Sequence, residues 1–335
     1  MFIFLDFPSE GPCYNEVKRG EIMKGKVAGL FLFFSLIIFV LLSPIAGWAS
    51  QEEKLLVAAS ILPQRYFIER IADQKVQIEI MVPPGANPAT YEPKPSQLVS
   101  LSRASLYFAI GVPFEKAYLG RFFQINKNMV VVDTSEGISK IPISSIHDLT
   151  NRENGKSHGH EHSQGELDPH IWLSPRLVKI QAQNIQRALS SADPQNTKSY
   201  QRNLNRFLKE LDELDEEIRG KLSETKGKKF MVFHPSWGYF ARDYGLDMIP
   251  IEVEGSEPSA AELAKIISIA KKEKIRIIIA QPEFPSRSAK VIAQEVGCRV
   301  VPISPLAPNW RENLLLLADT LAEALKDNSR EETKP

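Results

Sequence analysis

The chain has 335 residues, of which 43% are hydrophobic and 24% are charged, which is close to the average for globular proteins. This composition excludes a wholly disordered chain, a collagen-like chain and a multi-span membrane protein. Lys and Arg number 41, as do Asp and Glu, so the chain lacks the basic excess needed to coat nucleic acid, and we expect no nucleic-acid partner. Two cysteines, Cys13 and Cys298, are too few for a multi-cysteine metal site.

The first 50 residues have the pattern of an export sequence. Two lysines precede an uncharged apolar run over residues 27–42, and small residues up to Ala49 provide a cleavage site. This order is typical of a secretory signal peptide, whereas a membrane-spanning helix needs about 20 apolar residues. We therefore predict a signal peptide over residues 1–50, whose start could equally be Met23, with an uncleaved anchor as the alternative. No cysteine stands just after the apolar run, so no lipid-modified N-terminus is expected.

The first half of the mature chain alternates between short apolar runs and amphipathic stretches. The patterns predict strands at 55–59, 76–82, 105–110 and 129–132, and helices at 63–72, 95–102 and 114–123. Repetition of strand, helix and strand indicates crossover connections and a parallel-type sheet.

A long amphipathic helix is predicted between two such halves. Residues 177–189 have helical spacing, and residues 194–222 have the strongest helical pattern of the chain. At about 1.5 Å per residue this second helix would span roughly 40 Å, the width of a domain, and its charged face is predicted to be solvated.

A second α/β half follows this helix. The patterns predict strands at 229–233, 248–251, 276–280 and 299–303, and helices at 236–244, 259–272, 287–295 and 309–324. The predicted fold class is α/β, with two lobes that have parallel-type sheets, bridged by one long helix. We place the N-terminal lobe at 51–175, the linker region with the bridging helix at 176–226 and the C-terminal lobe at 227–335.

Residues 144–166 interrupt the pattern of the first lobe. The segment is polar and without periodicity, and it includes His158, His160 and His162 in the string HGHEH. Such a tract in an exported protein favours weak, exchangeable binding of a cation such as zinc. The alternative is a polar loop in which histidine is frequent by chance.

Two further histidines lie outside this loop. His170 stands in DPHIWLSP, and His234 directly follows the predicted strand 229–233. A side chain at the carboxyl end of a parallel strand points into the crevice where α/β folds bind ligands. Taken alone, each histidine is as readily a structural residue as a ligand.

Seven motifs in a fixed order resemble one protein family. They are MVPPGANPATYEPKPSQ, FAIGVPFE, the His-rich loop, DPHIWLSP, VFHPSWGYFARDYGL, EGSEPSAAEL and QPEFPSRSAKVIA. Together they resemble the zinc/manganese solute-binding proteins of ABC importers, the ZnuA/TroA family. The resemblance implies two α/β lobes bridged by a rigid long helix, with a metal ion held in the cleft between them.

The resemblance carries over two of the family's four metal ligands. His170 and His234 match the second and third ligands, but Ala89 stands where the first, a histidine, is expected. Ser304 stands where the fourth, an aspartate, is expected. Alanine cannot coordinate a metal, and zinc normally takes three or four protein ligands.

Two carboxylates lie near the substituted positions. Glu92 follows Ala89 by three residues, and Glu283 lies in the loop after the predicted strand 276–280. By resemblance of position, each is a candidate to complete the metal shell, against the alternative that it is a solvated or structural carboxylate.

The leading functional prediction is a periplasmic binding protein, monomeric and not an enzyme, that captures a divalent metal ion. The cargo expected from the resemblance is Zn²⁺, or Mn²⁺ as the family's other ion, delivered to an ABC transporter permease in the membrane. One alternative is a related binding protein with a different small ligand. The other is an exported metallo-hydrolase, although the sequence contains neither HExxH nor GxSxG.

Overall fold

The structure is a computed structural model that describes residues 54–145, 166–253, 255–285 and 287–326. The predicted signal peptide and the loop histidines His158, His160 and His162 lie outside the described residues. Of the helices in the described part, none is both long enough and apolar enough to cross a membrane.

The first lobe contains a four-stranded parallel sheet. Its elements are β1 (Leu55–Ala59), α1 (Leu62–Ala72), β2 (Val76–Ile80), α2 (Pro95–Leu101), β3 (Leu106–Ala109), α3 (Pro113–Ile125) and β4 (Val130–Asp133). The strand order is β2-β1-β3-β4, and Val57 of β1 lies opposite both Ile78 and Leu106. The central strand β3 is buried along its whole length, as expected for a parallel sheet covered on both faces.

Two helices follow, α4 (Pro175–Ala192) and α5 (Thr197–Lys221). The predicted long helix is confirmed, but it begins at Thr197 because Pro194–Asn196 forms a separate 3₁₀ turn. Its 25 residues correspond to about 37 Å. The residues buried along its apolar face are Tyr200, Leu204, Phe207, Leu211, Leu214 and Ile218.

The second lobe repeats the arrangement of the first. Its elements are β5 (Lys229–Val232), α6 (Gly238–Tyr244), β6 (Asp247–Pro250), α7 (Ala260–Lys272), β7 (Ile277–Ala280), α8 (Arg287–Val296), β8 (Arg299–Pro302) and α9 (Trp310–Leu325). The order β6-β5-β7-β8 is again entirely parallel. The predicted α/β fold with two parallel sheets is therefore confirmed.

The charged face of α5 is largely exposed, as predicted, and some of its carboxylates also pair with neighbouring helices. Glu210 pairs with Arg70 of α1, and the Asp212 carboxylate lies 2.6 Å from Lys179 Nζ of α4. On the other side, Glu217 lies 3.2 Å from Arg311 of α9. These contacts arise because α5 packs against α1, α4 and α9, so its polar flanks face neighbouring helices.

One hydrophobic cluster includes residues of both sheets. It contains β1 and β3 of the first lobe, and Ile277 and Ile279 of the second. Ile278 belongs to a separate cluster on the other face of the second sheet, with α7 and α8, because successive strand residues point to opposite faces. The shared cluster gives both lobes a common core.

Trp172 and Trp310 connect the segment before α4 to the second half of the chain. The indole N–H of Trp310 donates to the carbonyl of Trp172 at 2.7 Å, and that of Trp172 donates to Pro305 O at 2.8 Å. Both side chains are at most 2% exposed. The buried hydrogen bonds fix the chain immediately after His170 against the loop that follows β8.

Candidate metal centre

The structure brings His170 and His234 into contact, although 64 residues separate them. His170 immediately precedes the short 3₁₀ turn before α4, and His234 lies two residues beyond β5. Their Nε2 atoms are 3.3 Å apart, and the ring planes are inclined by 71°. The two predicted histidine ligands thus face one another through the same ring nitrogen.

Asp168 holds the ring of His170 from behind. Its Oδ1 atom accepts hydrogen bonds from His170 Nδ1 at 2.6 Å and from the His170 backbone N–H at 2.9 Å. Asp168 is 1% exposed, and its carbonyl accepts a bond from the Tyr239 hydroxyl at 2.9 Å. This aspartate is therefore rigidly placed, and it fixes the direction of His170 Nε2.

Three residues of the second lobe fix His234. Glu252 Oε1 accepts from Nδ1 at 2.8 Å, and the ring of Phe284 stacks on the imidazole at a centroid distance of 4.4 Å. The Gln281 amide accepts from the His234 N–H at 3.1 Å and donates to its carbonyl at 2.6 Å. Burial lowers the pKa of His234, while the hydrogen bond to Glu252 opposes this change. A lowered pKa favours the neutral imidazole, which is the form that binds metals.

The hydrogen bonds to Asp168 and Glu252 determine what the two histidines present to each other. A carboxylate only accepts hydrogen bonds, so both Nδ1 atoms carry a proton, and in a neutral ring the lone pair is then on Nε2. Two Nε2 atoms at 3.3 Å can share one proton in a hydrogen bond, or both can donate their lone pairs to one cation. In a tetrahedral zinc site with Zn–N bonds of about 2.0–2.1 Å, two ligand nitrogens lie about 3.3–3.4 Å apart. The observed separation fits this geometry.

The two predicted carboxylates are placed differently. Glu283 is half-buried: its Oε1 atom accepts from the Ser304 hydroxyl, and its buried Oε2 atom accepts no hydrogen bond from the described residues. Glu92 is exposed, as is Ala89. Across the described part of the chain, no three His, Cys, Asp or Glu residues form a group that could hold a metal ion. The roles of Glu92 and Glu283 as ligands therefore stay predictions.

Sequence reasoning did not assign a role to Asp168 or Glu252. Parallel pairing of β5 with β6 places Val232 opposite Pro250, so the same register brings His234 beside Glu252, two residues further on. Placing the two predicted strands in parallel register would have indicated the pair of His234 and Glu252 from the sequence. For Asp168, the spacing of two residues before His170 allows its carboxylate to accept the His170 backbone N–H, a local turn pattern common for Asp.

Comparisons with known proteins point to a family of zinc-uptake proteins. The family model "ZnuA: Zinc-uptake complex component A periplasmic" matches residues 57–331. The high-affinity zinc uptake system protein ZnuA of Bacillus subtilis (strain 168) is 29% identical over 77% of this chain and 80% of that protein. The zinc-binding protein AdcA of Streptococcus pyogenes serotype M3 is 28% identical over 76% of this chain, which spans about half (51%) of that relative. A crystal structure of ZnuA is 40% identical, with a TM-score of 0.73 over 82% of this chain and 100% of that chain.

Proposed function

The chain belongs to the ZnuA family of periplasmic zinc-uptake components, and on that premise we propose that it captures a divalent cation between His170 and His234 for an ABC importer. The observation that carries the proposal is the pair of Nε2 atoms 3.3 Å apart. Each ring is held from behind through Nδ1, so neither needs to turn when the ion binds. Pre-organised ligands lose less entropy on binding.

Zinc is the cargo that this donor set favours. Imidazole nitrogen suits zinc, copper and nickel, whereas manganese prefers carboxylate, carbonyl and water oxygen. Relatives of the chain are named as zinc-uptake and zinc-binding proteins, which supports the same ion. Manganese is the second cargo, and it would depend more strongly on a carboxylate ligand.

Glu283 is the carboxylate that we propose as a further ligand, with Glu92 as the second candidate. Ser304 stands where the family resemblance expects an aspartate, and its hydroxyl donates to Glu283. A carboxylate therefore lies beside that position, with one buried oxygen free of hydrogen bonds from the described residues. Phe284, the next residue along the chain, stacks on His234, so Glu283 is adjacent in sequence to a side chain that contacts the histidine pair.

Alanine substitution of both histidines tests the proposal. Competition with a chromophoric chelator should show that His170→Ala and His234→Ala each lose the highest-affinity zinc step, because a site with few ligands cannot lose another. The matched control replaces three histidines of the loop, His158, His160 and His162, with alanine and should keep that step. A double variant that binds zinc as tightly as the wild type would contradict the metal site and favour a non-metal ligand in the same cleft.

We further propose that the chain works outside the cytoplasm, partnered by a membrane permease. The support is the export pattern of residues 1–50 together with the periplasmic family description. Intact mass of the exported protein should show cleavage near Ala49, and a mature species that retains residues 27–42 would indicate an anchor instead.

The domain division that we propose has an N-terminal lobe at 51–175, a linker region at 176–226 and a C-terminal lobe at 227–335.

A further inference from the structure

We infer that Asp168 and Glu252 are positioning residues of the metal centre, which fix the histidine tautomers and supply the negative charge that two neutral imidazoles lack. This inference rests on the proposed function. It concerns the two side chains behind the ligands, to which no role was given by the sequence reasoning.

The two carboxylates stand in equivalent places. Asp168 Oδ1 lies 2.6 Å from His170 Nδ1, and Glu252 Oε1 lies 2.8 Å from His234 Nδ1. Both residues are buried, at 1% and 8% exposure. Without these acceptors, a neutral imidazole could carry its proton on Nε2 and would then present an N–H, which cannot coordinate a metal.

Charge gives the carboxylates a second role. A zinc ion bound by two neutral imidazoles keeps its full double positive charge, which is costly away from water. Asp168 and Glu252 together provide two negative charges, each one imidazole ring away from the ion. The two outer carboxylates would thus compensate part of the positive charge of the ion, as an anionic ligand at position 304 would do by direct coordination.

Glu252 carries a specific indication of such a role. Its Oε2 atom is buried and accepts no hydrogen bond from the described residues. A buried carboxylate with an unpaired oxygen destabilises a fold unless another charge compensates it. A cation on the far side of His234 would provide that compensation, whereas packing alone would be served as well by a neutral side chain.

Substitution of Glu252 separates positioning from packing. Glu252→Gln keeps an acceptor for Nδ1–H but removes the charge, and Glu252→Ala removes both. The matched control is Glu257→Gln, an exposed carboxylate in the same connection between β6 and α7. Three measurements are made on each purified protein: zinc affinity by chelator competition, thermal unfolding, and long-range ¹H–¹⁵N spectra of the imidazoles without metal.

We expect a graded result. Glu252→Ala should weaken zinc binding by about 10–100-fold, the usual cost of losing an outer-shell partner, and the His234 ring should lose its fixed Nδ1–H tautomer while His170 keeps its own. Glu252→Gln should keep the tautomer and weaken binding to a smaller extent. Glu257→Gln should match the wild type. Asp168→Asn, provided that it unfolds near the wild-type temperature, should weaken binding in the same way through His170.

Two outcomes would overturn the inference. One is zinc affinity in Glu252→Ala equal to that of the wild type, and the other is an unchanged His234 tautomer in that variant. If either occurs while the His170→Ala, His234→Ala double variant has lost tight binding, only the positioning role fails. If the double variant also binds as the wild type does, the proposed metal site itself fails.

Discussion

At position 89 a methyl group stands where the family resemblance expects an imidazole, which would be a third nitrogen donor. Ala89 is exposed in the connection between β2 and α2, and its N–H donates to Asn87 Oδ1 at 2.8 Å. Because the Ala89 side chain is exposed, a larger side chain can be introduced at this position without disturbing the hydrophobic core.

Ala89→His should therefore tighten zinc binding. Loss of an outer-shell partner already changes metal affinity by about 10–100-fold, so a new direct ligand should give at least about tenfold tighter binding in a chelator competition. Thr90→His, at the exposed neighbouring residue, is the matched control and should have no effect. Equal affinity in Ala89→His and the wild type would show that this connection does not reach the histidine pair.

The two candidate carboxylates can be ranked by their surroundings. Glu283 has a buried oxygen and a hydrogen bond from Ser304, whereas Glu92 is exposed. We expect Glu283→Gln to weaken zinc binding clearly and Glu92→Gln to have the smaller effect, as measured by isothermal titration. The reverse order would move the third ligand to the first lobe.

Among the elements, the first turn of α3 contains a buried carboxylate far from the histidines in sequence. Glu115 accepts hydrogen bonds from the Ser60 hydroxyl and from the backbone N–H groups of Ile110 and Gly111, the latter two at 2.9 and 2.7 Å. Burial nevertheless raises the pKa of Glu115 above its ordinary value, and the hydrogen bonds oppose that change. The carboxylate ties the end of β3 to the first turn of α3.

The raised pKa predicts how the stability of this turn depends on pH. A folded state that holds its proton more tightly than the unfolded state gains stability at low pH. The contribution of Glu115 is therefore complete below its ordinary pKa of about 4.5 and is lost as the pH rises through the raised folded-state value. Urea unfolding at pH 4.5 and 7.5 should show a larger fall in the free energy of unfolding for the wild type than for Glu115→Gln. An equal fall in both proteins would contradict the assignment, and Glu257→Gln serves as the control.

In the whole molecule, the ends of the histidine-rich loop are held together at its base. Pro142 and Leu167 form an antiparallel bridge, and Ile143 N donates to Glu166 O at 2.9 Å. Asp168 N donates to Ile141 O at 2.8 Å, so the last of these contacts lies two residues before His170. The base of the loop therefore helps to place the metal centre, whatever the length of the loop.

Deletion of residues 157–165 should leave both the fold and the tight metal site intact. Loop-closure free energy changes by only about 0.6 kcal/mol for each doubling of loop length, so the unfolding temperature should change little. Titration calorimetry should retain the tightest zinc step and lose the weaker ones contributed by His158, His160 and His162. Disappearance of the tight step would identify the loop itself as the primary site.

Much of the fold could be predicted because local patterns determine it. The sequence predicts a strand over 276–280, of which Ile277–Ala280 forms β7, and Ser259 with Glu262 forms the capping box at the start of α7 that their spacing indicates. The start of α5 was predicted three residues early, because Pro194 is compatible with a first helical turn and with a separate 3₁₀ turn alike. The exposed face of α5 could be predicted from its periodicity, whereas its ion pairs with α1, α4 and α9 could not, since which helices pack beside it is not a local property.

The sequence by itself determined the α/β class, the two halves, the long helix, and His170 and His234 as the histidines to examine. Each of these depends on periodicity, on turn residues or on a motif within a few neighbouring positions. Only the tertiary structure decided that the two Nε2 atoms meet at 3.3 Å and that Asp168 and Glu252 stand behind them. The physical reason is that such distances depend on strand register and on the packing of the two lobes, which join residues far apart along the chain.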